Sequence, residues 1–376
     1  MLYCSTVTYI SVFLLECGYS NTALGIVQSI SIILGIALQP IVSAIVDRSK
    51  RVTLNGMSLG LVVTALACNG IMAFLHRESM VLNVVCVGLA ASIILLQPLI
   101  NALPGTLSRL GEPINYGVGR ACGSGMYAML SVLIGELLVR FNGFVLPIVS
   151  VVPVVLLFVM LVLIRREGEP EEIDCEADAP KDGAGTLFRN GSFVCFLIGV
   201  AFLFFGHTPL DYFGLQIVSA VGGDGAGLGR VHALLAVSEL PTMIFFTRLE
   251  KRFSSVTLLR ISAIVFVINS ILFALSSSMS ALCLSCIMHC FGYALLIPAS
   301  VRYAEQISDR TNGTLAQSLV TIAMMAGSFV CSFTGGIIID ATNERTLLII
   351  AAVVSVVGAI PIVFGMKQSS IPKKSR

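Results

Sequence analysis

The sequence predicts an all-α integral membrane protein with twelve transmembrane helices arranged as two six-helix bundles. Long apolar segments separated by short polar turns fill the chain, charged residues make up only 12%, and mean hydropathy is +0.94. A helix of about 20 apolar residues crosses a bilayer core of about 30 Å. Twelve such helices occupy nearly all of the 376 residues, so we expect no separate soluble domain.

The first apolar segment, Leu2–Leu15, is too short to cross a bilayer and lacks the basic flank of a cleavable signal peptide. We interpret it as a first transmembrane helix shortened at its N-terminus, as a misplaced start codon or a truncated gene model would produce. Later segments have full length, for example Leu24–Val46, Val52–Leu75 and Phe144–Ile164.

One long polar stretch divides the chain. It is charged and contains Gly and Pro, so it cannot cross lipid or pack as a core. We therefore predict an N-terminal six-helix bundle at 1–164, a cytoplasmic acidic linker at 165–191, a C-terminal six-helix bundle at 192–366 and a basic cytoplasmic tail at 367–376.

The two halves resemble each other in sequence. The turn Gly18–Gly25, with glycine at both ends, has a counterpart in the glycine-rich turn Gly222–Gly229, each between the first and second helix of its half. A basic turn follows one helix later in both halves, at Asp47–Arg51 and at Arg248–Arg252. These matches at corresponding places indicate a parallel six-helix repeat.

Positive charge is distributed unevenly between the predicted connections. Most of the 23 Lys and Arg residues fall on the side of the two termini, which leaves only Arg77, Arg140, Arg230 and Arg345 on the other side. Cytoplasmic connections carry the excess of Lys and Arg. We therefore expect a multi-pass protein of the cell (inner) membrane with both termini in the cytoplasm.

Several motifs carry a family resemblance. The chain resembles the major facilitator superfamily over its whole length, first through the turn Asp47–Arg51, although Ser43 stands where that family's motif has a glycine. Short stretches resemble the lactose permease group of oligosaccharide:proton symporters: Tyr116–Ser124, Ser238–Pro241, Met288–Phe291 and Val301–Tyr303. The resemblance implies alternating access, with Asp47, Arg48 and Arg51 acting at a conformational gate.

Ionisable groups at membrane depth are costly, so each is a candidate site residue. By resemblance, Arg120 corresponds to a substrate-binding arginine, and Tyr127, two helical turns away on the same face, to an aromatic residue that stacks on the sugar. Asn101 aligns near an essential helix-4 glutamate of that group and is a further candidate substrate-binding residue. The alternatives are an arginine that extends to the head groups and a tyrosine that fills a helix interface.

The second half carries the candidate proton-coupling residues. Glu239 lies in mid-helix, where packing alone does not explain a carboxylate, and by resemblance it joins substrate recognition to proton coupling. His289 matches a coupling histidine. Asn269, which aligns near a helix-9 arginine of that group, is a candidate substrate-binding residue. His207 and Asp211 are four residues apart and share a helix face. The aspartate's lysine partner in that group falls at Cys286 in this chain, so that ion pair is absent. Either His207 or His289 replaces the lysine, or Asp211 is protonated.

We therefore expect a secondary active transporter that imports a small hydroxylated solute, such as a sugar or glycoside, with a proton. The alternatives are proton-antiport efflux of drugs or metabolites and a membrane sensor or scaffold that does not transport. The expected partners are the solute, protons and membrane lipids, with no nucleic acid and a functional monomer. No nucleotide-binding or hydrolase motif occurs, so we expect neither an enzyme nor a cofactor or metal.

Overall fold

The computed structural model describes residues 2–48, 52–109, 116–166, 187–307 and 313–367. Throughout these ranges the chain is helical, with short connections and no strand. The prediction of an all-α membrane fold is confirmed. The linker predicted at 165–191 and the tail predicted at 367–376 lie mostly outside the described residues, and their boundaries stay predictions.

The helices are numbered in chain order. They are α1 (Cys4–Glu16), α2 (Asn21–Arg48), α3 (Leu54–Met72), α4 (Met80–Arg109), α5 (Tyr116–Phe141), α6 (Leu146–Arg166), α7 (Gly191–Tyr212), α8 (Gly225–Arg252), α9 (Ser255–Leu275), α10 (Met279–Ile307), α11 (Gly313–Ala341) and α12 (Glu344–Gly365). A short helix, Gly214–Ala220, continues α7 after a break at Phe213.

Eleven of these helices are long and apolar enough to cross a membrane, and α1 is a shorter apolar helix. The protein is therefore a multi-pass membrane protein. Helices α1–α6 form the first bundle and α7–α12 the second. In the first bundle α3 packs on α4 and α6, and in the second α7 packs on α12.

The internal repeat is visible in the backbone. Gly18 and Gly222 both adopt positive φ, +92° and +82°, in the turns that precede α2 and α8. Glycine adopts this left-handed conformation without the steric cost that a side chain brings. The two turns therefore share a left-handed glycine at the corresponding place, which agrees with the repeat predicted from the sequence.

Glycines let the two bundles approach closely along two helix pairs. A Cβ added to Gly135 of α5 would lie 2.8 Å from the carbonyl oxygen of Gly225 and 3.0 Å from the Cα of Gly229, both on α8. On the other pair, Gly25 of α2 lies against the backbone of Ser332 on α11. Small residues permit this backbone packing within a membrane.

The bundles meet at one end of the membrane. We call the end where α6 ends and α7 begins the linker end, and the opposite end the closed end. At the closed end Asp340 of α11 accepts hydrogen bonds from Asn21 and Thr22 at the start of α2, and Arg230 lies 3.9 Å from Glu136. Further hydrogen bonds join the bundles toward this end, from Gln216 to Asn21 and from Ser332 to the carbonyl oxygen of Gly25.

Candidate functional site

A proline shapes the part of α7 that carries two titratable residues. Pro209 has no N–H, so it cannot bond to the carbonyl of Phe205 one turn earlier, and the helix breaks four residues later. His207 and Asp211 flank this proline on one face. The Nε2 atom of His207 lies 3.4 Å from Oδ2 of Asp211, so the contact expected from their spacing is present.

A second pair joins α8 to α10. His289 lies on an irregular 3-10 segment of α10, Cys286–Cys290, and its Nε2 is 3.4 Å from Oε1 of Glu239 on α8. The α10 backbone lies close to α9 here, because a Cβ at Gly292 would be in van der Waals contact with the Cα of Phe266, at 3.4 Å.

The two pairs are neighbours. The ring centroids of His207 and His289 are 5.4 Å apart with nearly parallel planes, and Tyr293 stacks against both at 4.6 and 4.8 Å. We call His207, Asp211, Glu239 and His289 the histidine–carboxylate array. It lies at membrane depth within the second bundle and connects α7, α8 and α10.

The carboxylates of the array are more accessible than the histidine at its centre. The Glu239 side chain is 16% exposed and that of Asp211 32%, whereas His289 is 3% exposed. Each acid is therefore partly exposed while it contacts an imidazole, a group that can donate or accept a proton.

The first bundle presents hydroxyl and aromatic groups opposite the array. The Tyr127 hydroxyl on α5 lies 3.1 Å from Oγ1 of Thr8 on α1. Tyr9 donates a hydrogen bond of 3.1 Å to the carbonyl oxygen of Ser131. The ring of Tyr127 lies 6.5 Å from that of His232 on α8, centroid to centroid, so the two bundles face each other at this depth.

The other predicted site residues are less closely associated with the array. Asn101 is exposed on α4, and Asn269 is buried in α9, where its Oδ1 has no hydrogen-bond partner among the described residues. No contact seen in the described part of the chain joins either amide to the array. Arg120 lies in the first turns of α5, and its side chain is outside the described residues.

The predicted gate is described only in its backbone. Asp47 and Arg48 are the last residues of α2, which ends at the linker end. Their side chains, and all of Arg51, lie outside the described residues. No group of three or more His, Cys, Asp or Glu side chains that could hold a metal ion occurs in the described ranges.

The sequence interpretation overlooked two residues that the fold makes prominent. His232 of α8 is buried between α1 and α5, and Asp340 joins α11 to α2. A sequence signal existed for His232, because it precedes Glu239 by two helical turns and shares its face. Asp340 is at a helix end, where acidic residues are common. The sequence therefore contains no signal for its contact with α2.

Comparison with protein families decides the classification. The model of the MFS_1 like family matches residues 3–350, which is most of the chain. The chain belongs to the MFS_1 like family.

Two curated relatives of this MFS_1 like protein are similar to it in sequence. The maltose permease of Geobacillus stearothermophilus is 25% identical over 366 residues, covering 94% of this chain and 88% of the relative. The multidrug resistance protein 2 of Bacillus subtilis (strain 168) is 25% identical over 146 residues, 39% of this chain and 36% of the relative.

Solved transporters share the fold. A mutant of the nucleoside transporter NupG superposes with a TM-score of 0.78 at 15% identity, covering 98% of this chain and 96% of that one. A mutant of the peptide transporter POT superposes with a TM-score of 0.76 at 12% identity, covering 96% and 91%. The resemblance to the major facilitator superfamily is thus confirmed. This MFS_1 like protein is a secondary transporter for a small molecule and not an enzyme.

Proposed function

We propose that the protein imports a small hydroxylated solute, such as a sugar or glycoside, together with a proton by alternating access. The observation that carries the proposal is the histidine–carboxylate array, in which Glu239 contacts His289 and Asp211 contacts His207, each at 3.4 Å. Packing alone does not explain two imidazole–carboxylate pairs at membrane depth, because ionisable groups are costly to place there. They are suited to taking up and releasing a proton during transport.

The proposed orientation places the linker end in the cytoplasm and the closed end outside the cell membrane. The uneven distribution of Lys and Arg supports it. The described conformation is then closed toward the outside. In the cycle the glycine-lined contacts of α5 with α8 and of α2 with α11 separate, and the solute site opens outward.

Solute recognition is assigned to both bundles. Tyr127 provides an aromatic ring on the first bundle, and Asp211 and Glu239 provide acceptors for solute hydroxyl groups on the second. We also retain Arg120, Asn101 and Asn269 as candidate ligands from the sequence. A sugar is favoured because a maltose permease is similar over 94% of this chain.

Proton-antiport efflux is the second candidate, favoured by the similarity of 39% of the chain to a multidrug resistance protein. It uses the same array with the opposite direction of solute movement. The direction of accumulation under an imposed proton gradient therefore distinguishes the two functions.

The test uses purified protein in proteoliposomes with the pH lower outside than inside. We expect radiolabelled maltose, or another member of a panel of mono- and disaccharides, to accumulate above its external concentration and to leak out when a protonophore is added. If no sugar accumulates and a panel of cationic dyes is expelled toward the acidic side, efflux is the function.

A further inference from the structure

His232 is a titratable residue enclosed by the interface between the bundles. It belongs to α8 of the second bundle, yet its ring lies against two aromatic residues of the first. Its centroid is 5.9 Å from that of Tyr9 on α1 and 6.5 Å from that of Tyr127 on α5. The residue is 1% exposed. Its burial therefore depends on contact between the two bundles.

One nitrogen of this histidine is unsatisfied. Nε2 of His232 has no hydrogen-bond partner among the described residues. It faces the break after α7, because a Cβ added to Gly214 would lie 3.5 Å from it. Buried polar atoms without partners are rare in proteins, and an imidazolium enclosed in this way would be more costly still. The closed interface thus accommodates neutral His232.

The titratable groups around His232 come from four helices. They are Tyr9 of α1, Tyr127 of α5, Asp211 and His207 of α7, and His289 of α10. The tyrosine hydroxyls bond within the first bundle, to Ser131 and Thr8, and Asp211 contacts His207. None of these contacts involves the Nε2 of His232.

His232 extends the histidine–carboxylate array toward the closed end. It lies seven residues before Glu239 on α8, which is about 10.5 Å along the helix axis and on the same face. Because α8 begins at the closed end, His232 is the member of this face nearer to that end. Asp211, His207 and His289 all act on it electrostatically.

We propose that His232 is the residue that receives the proton from the outside, and that it must pass this proton to the array before the closed end can form. The inference rests on the proposed proton coupling. When α5 and α8 separate, the Nε2 lone pair binds a proton from hydronium, which leaves water and an imidazolium. The imidazolium then transfers that proton, directly or through a water molecule, to the Asp211 carboxylate. Neutral His232 returns between the two tyrosines.

The test measures how pH changes the separation of the bundles without any solute. Spin labels at Phe74→Cys and Ser277→Cys, both exposed at the closed end of different bundles, report the distance between the bundles. Native cysteines that react with the label are replaced by serine. Distances are recorded in detergent at about pH 8 and about pH 5.5, on either side of the ordinary histidine pKa of about 6.5.

We expect low pH to lengthen the distance in the parent protein, with the open:closed ratio rising by up to about tenfold per pH unit. His232→Gln and His232→Phe, one polar and one aromatic, should both abolish this pH dependence. His76→Gln is the matched control, because His76 is exposed at the same end of the membrane. It should behave as the parent does.

Three results would overturn the inference: no pH dependence in the parent, a normal dependence in both His232 variants, or loss in only one of them. Size-exclusion profiles at both pH values confirm that each variant is folded. The proposed function is contradicted by a different result, namely sugar transport without proton transport by the parent protein. The His232 experiment contains no sugar and so does not depend on that result.

Discussion

Tyr127 is the residue whose surroundings bear most directly on solute recognition. Its hydroxyl contacts Thr8 and its ring edge contacts His232, which hold the ring beside the space between the bundles. A sugar ring stacked on this side chain would bury apolar C–H groups against an aromatic face. In the proposed function the hydroxyl contact would orient the ring, and the aromatic face would supply the binding energy.

Substitution of Tyr127 should separate these two contributions. We expect Tyr127→Ala to weaken sugar binding by about 1–2 kcal/mol, because the stacking face is lost. Tyr127→Trp should bind as well as the parent or better. Tyr127→Phe is the matched control, since it keeps the ring and loses only the contact with Thr8. Equilibrium binding of the transported sugar to purified protein gives the affinities.

Equal affinity in Tyr127→Ala and the parent would show that the solute does not stack on this residue. The sugar site would then have to lie elsewhere, and the efflux function would gain support. Folding of each variant is checked by its melting temperature in detergent.

At the residue scale, the sequence identified the four residues of the array as candidates but did not predict all the contacts between them. The spacing of His207 and Asp211 predicts a shared face, because helix geometry alone determines it. The contact of Glu239 with His289 depends on how α8 packs on α10, which no local pattern specifies. His232 was overlooked because its burial arises from the other bundle.

At the element scale, α11 is joined to the start of α2 by Asp340. Its Oδ1 accepts from Nδ2 of Asn21 at 2.8 Å, and its Oδ2 accepts from the N–H and the hydroxyl of Thr22, both at 2.7 Å. Gln216, after α7, donates to the Asn21 side chain at 2.7 Å. The carboxylate thus caps a helix of the other bundle, where the helix dipole favours negative charge.

Asp340→Asn should weaken the closed end. The amide has a single acceptor oxygen and no charge. We therefore expect the closed state to lose about 1 kcal/mol of stability, a small value because the site is exposed to solvent. The open:closed ratio should therefore rise about fivefold. The spin labels at Phe74→Cys and Ser277→Cys measure this ratio at about pH 8.

Asp224→Asn is the matched control for that experiment. Asp224 caps α8 at the same membrane end, but it accepts from Gly227 of its own helix at 2.8 Å, and asparagine is an equally good cap. It should leave the distance unchanged. A parent-like distance in Asp340→Asn would mean that the glycine-lined helix contacts hold the closed end without this carboxylate.

The helices themselves were predictable from apolar length. Segments such as Val52–Leu75 and Phe144–Ile164 correspond to α3 and α6 within a few residues. The irregular segment of α10 and the break after α7 were not specified, since proline and glycine permit such features without requiring them. The contacts between helix ends at the closed end depend on how the two bundles pack together, which no local sequence pattern specifies.

On the scale of the whole molecule, the orientation in the membrane is testable with reporters. A reporter inserted near Asp182 and one fused after Arg376 should both report the cytoplasm, because Lys and Arg are concentrated on that side. We expect the insertion to be tolerated, because the sequence around Asp182 is polar and charged. Alkaline phosphatase and green fluorescent protein fusions provide the measurement. An external signal at either site would contradict the proposed orientation.

The central claim is that solute and proton cross together through the histidine–carboxylate array. Glu239→Gln tests it most directly, because the amide keeps the shape of the side chain and cannot titrate. Glu305→Gln, an exposed position on α10, is the matched control. Proteoliposomes containing a pH indicator are given a sugar gradient, and sugar entry and proton entry are recorded together.

We predict that sugar entry acidifies the interior with the parent and with Glu305→Gln. With Glu239→Gln, sugar should still exchange down its gradient, but no proton should accompany it and no accumulation should occur. Proton entry in Glu239→Gln equal to that of the parent, or sugar entry without protons in the parent itself, would contradict the account.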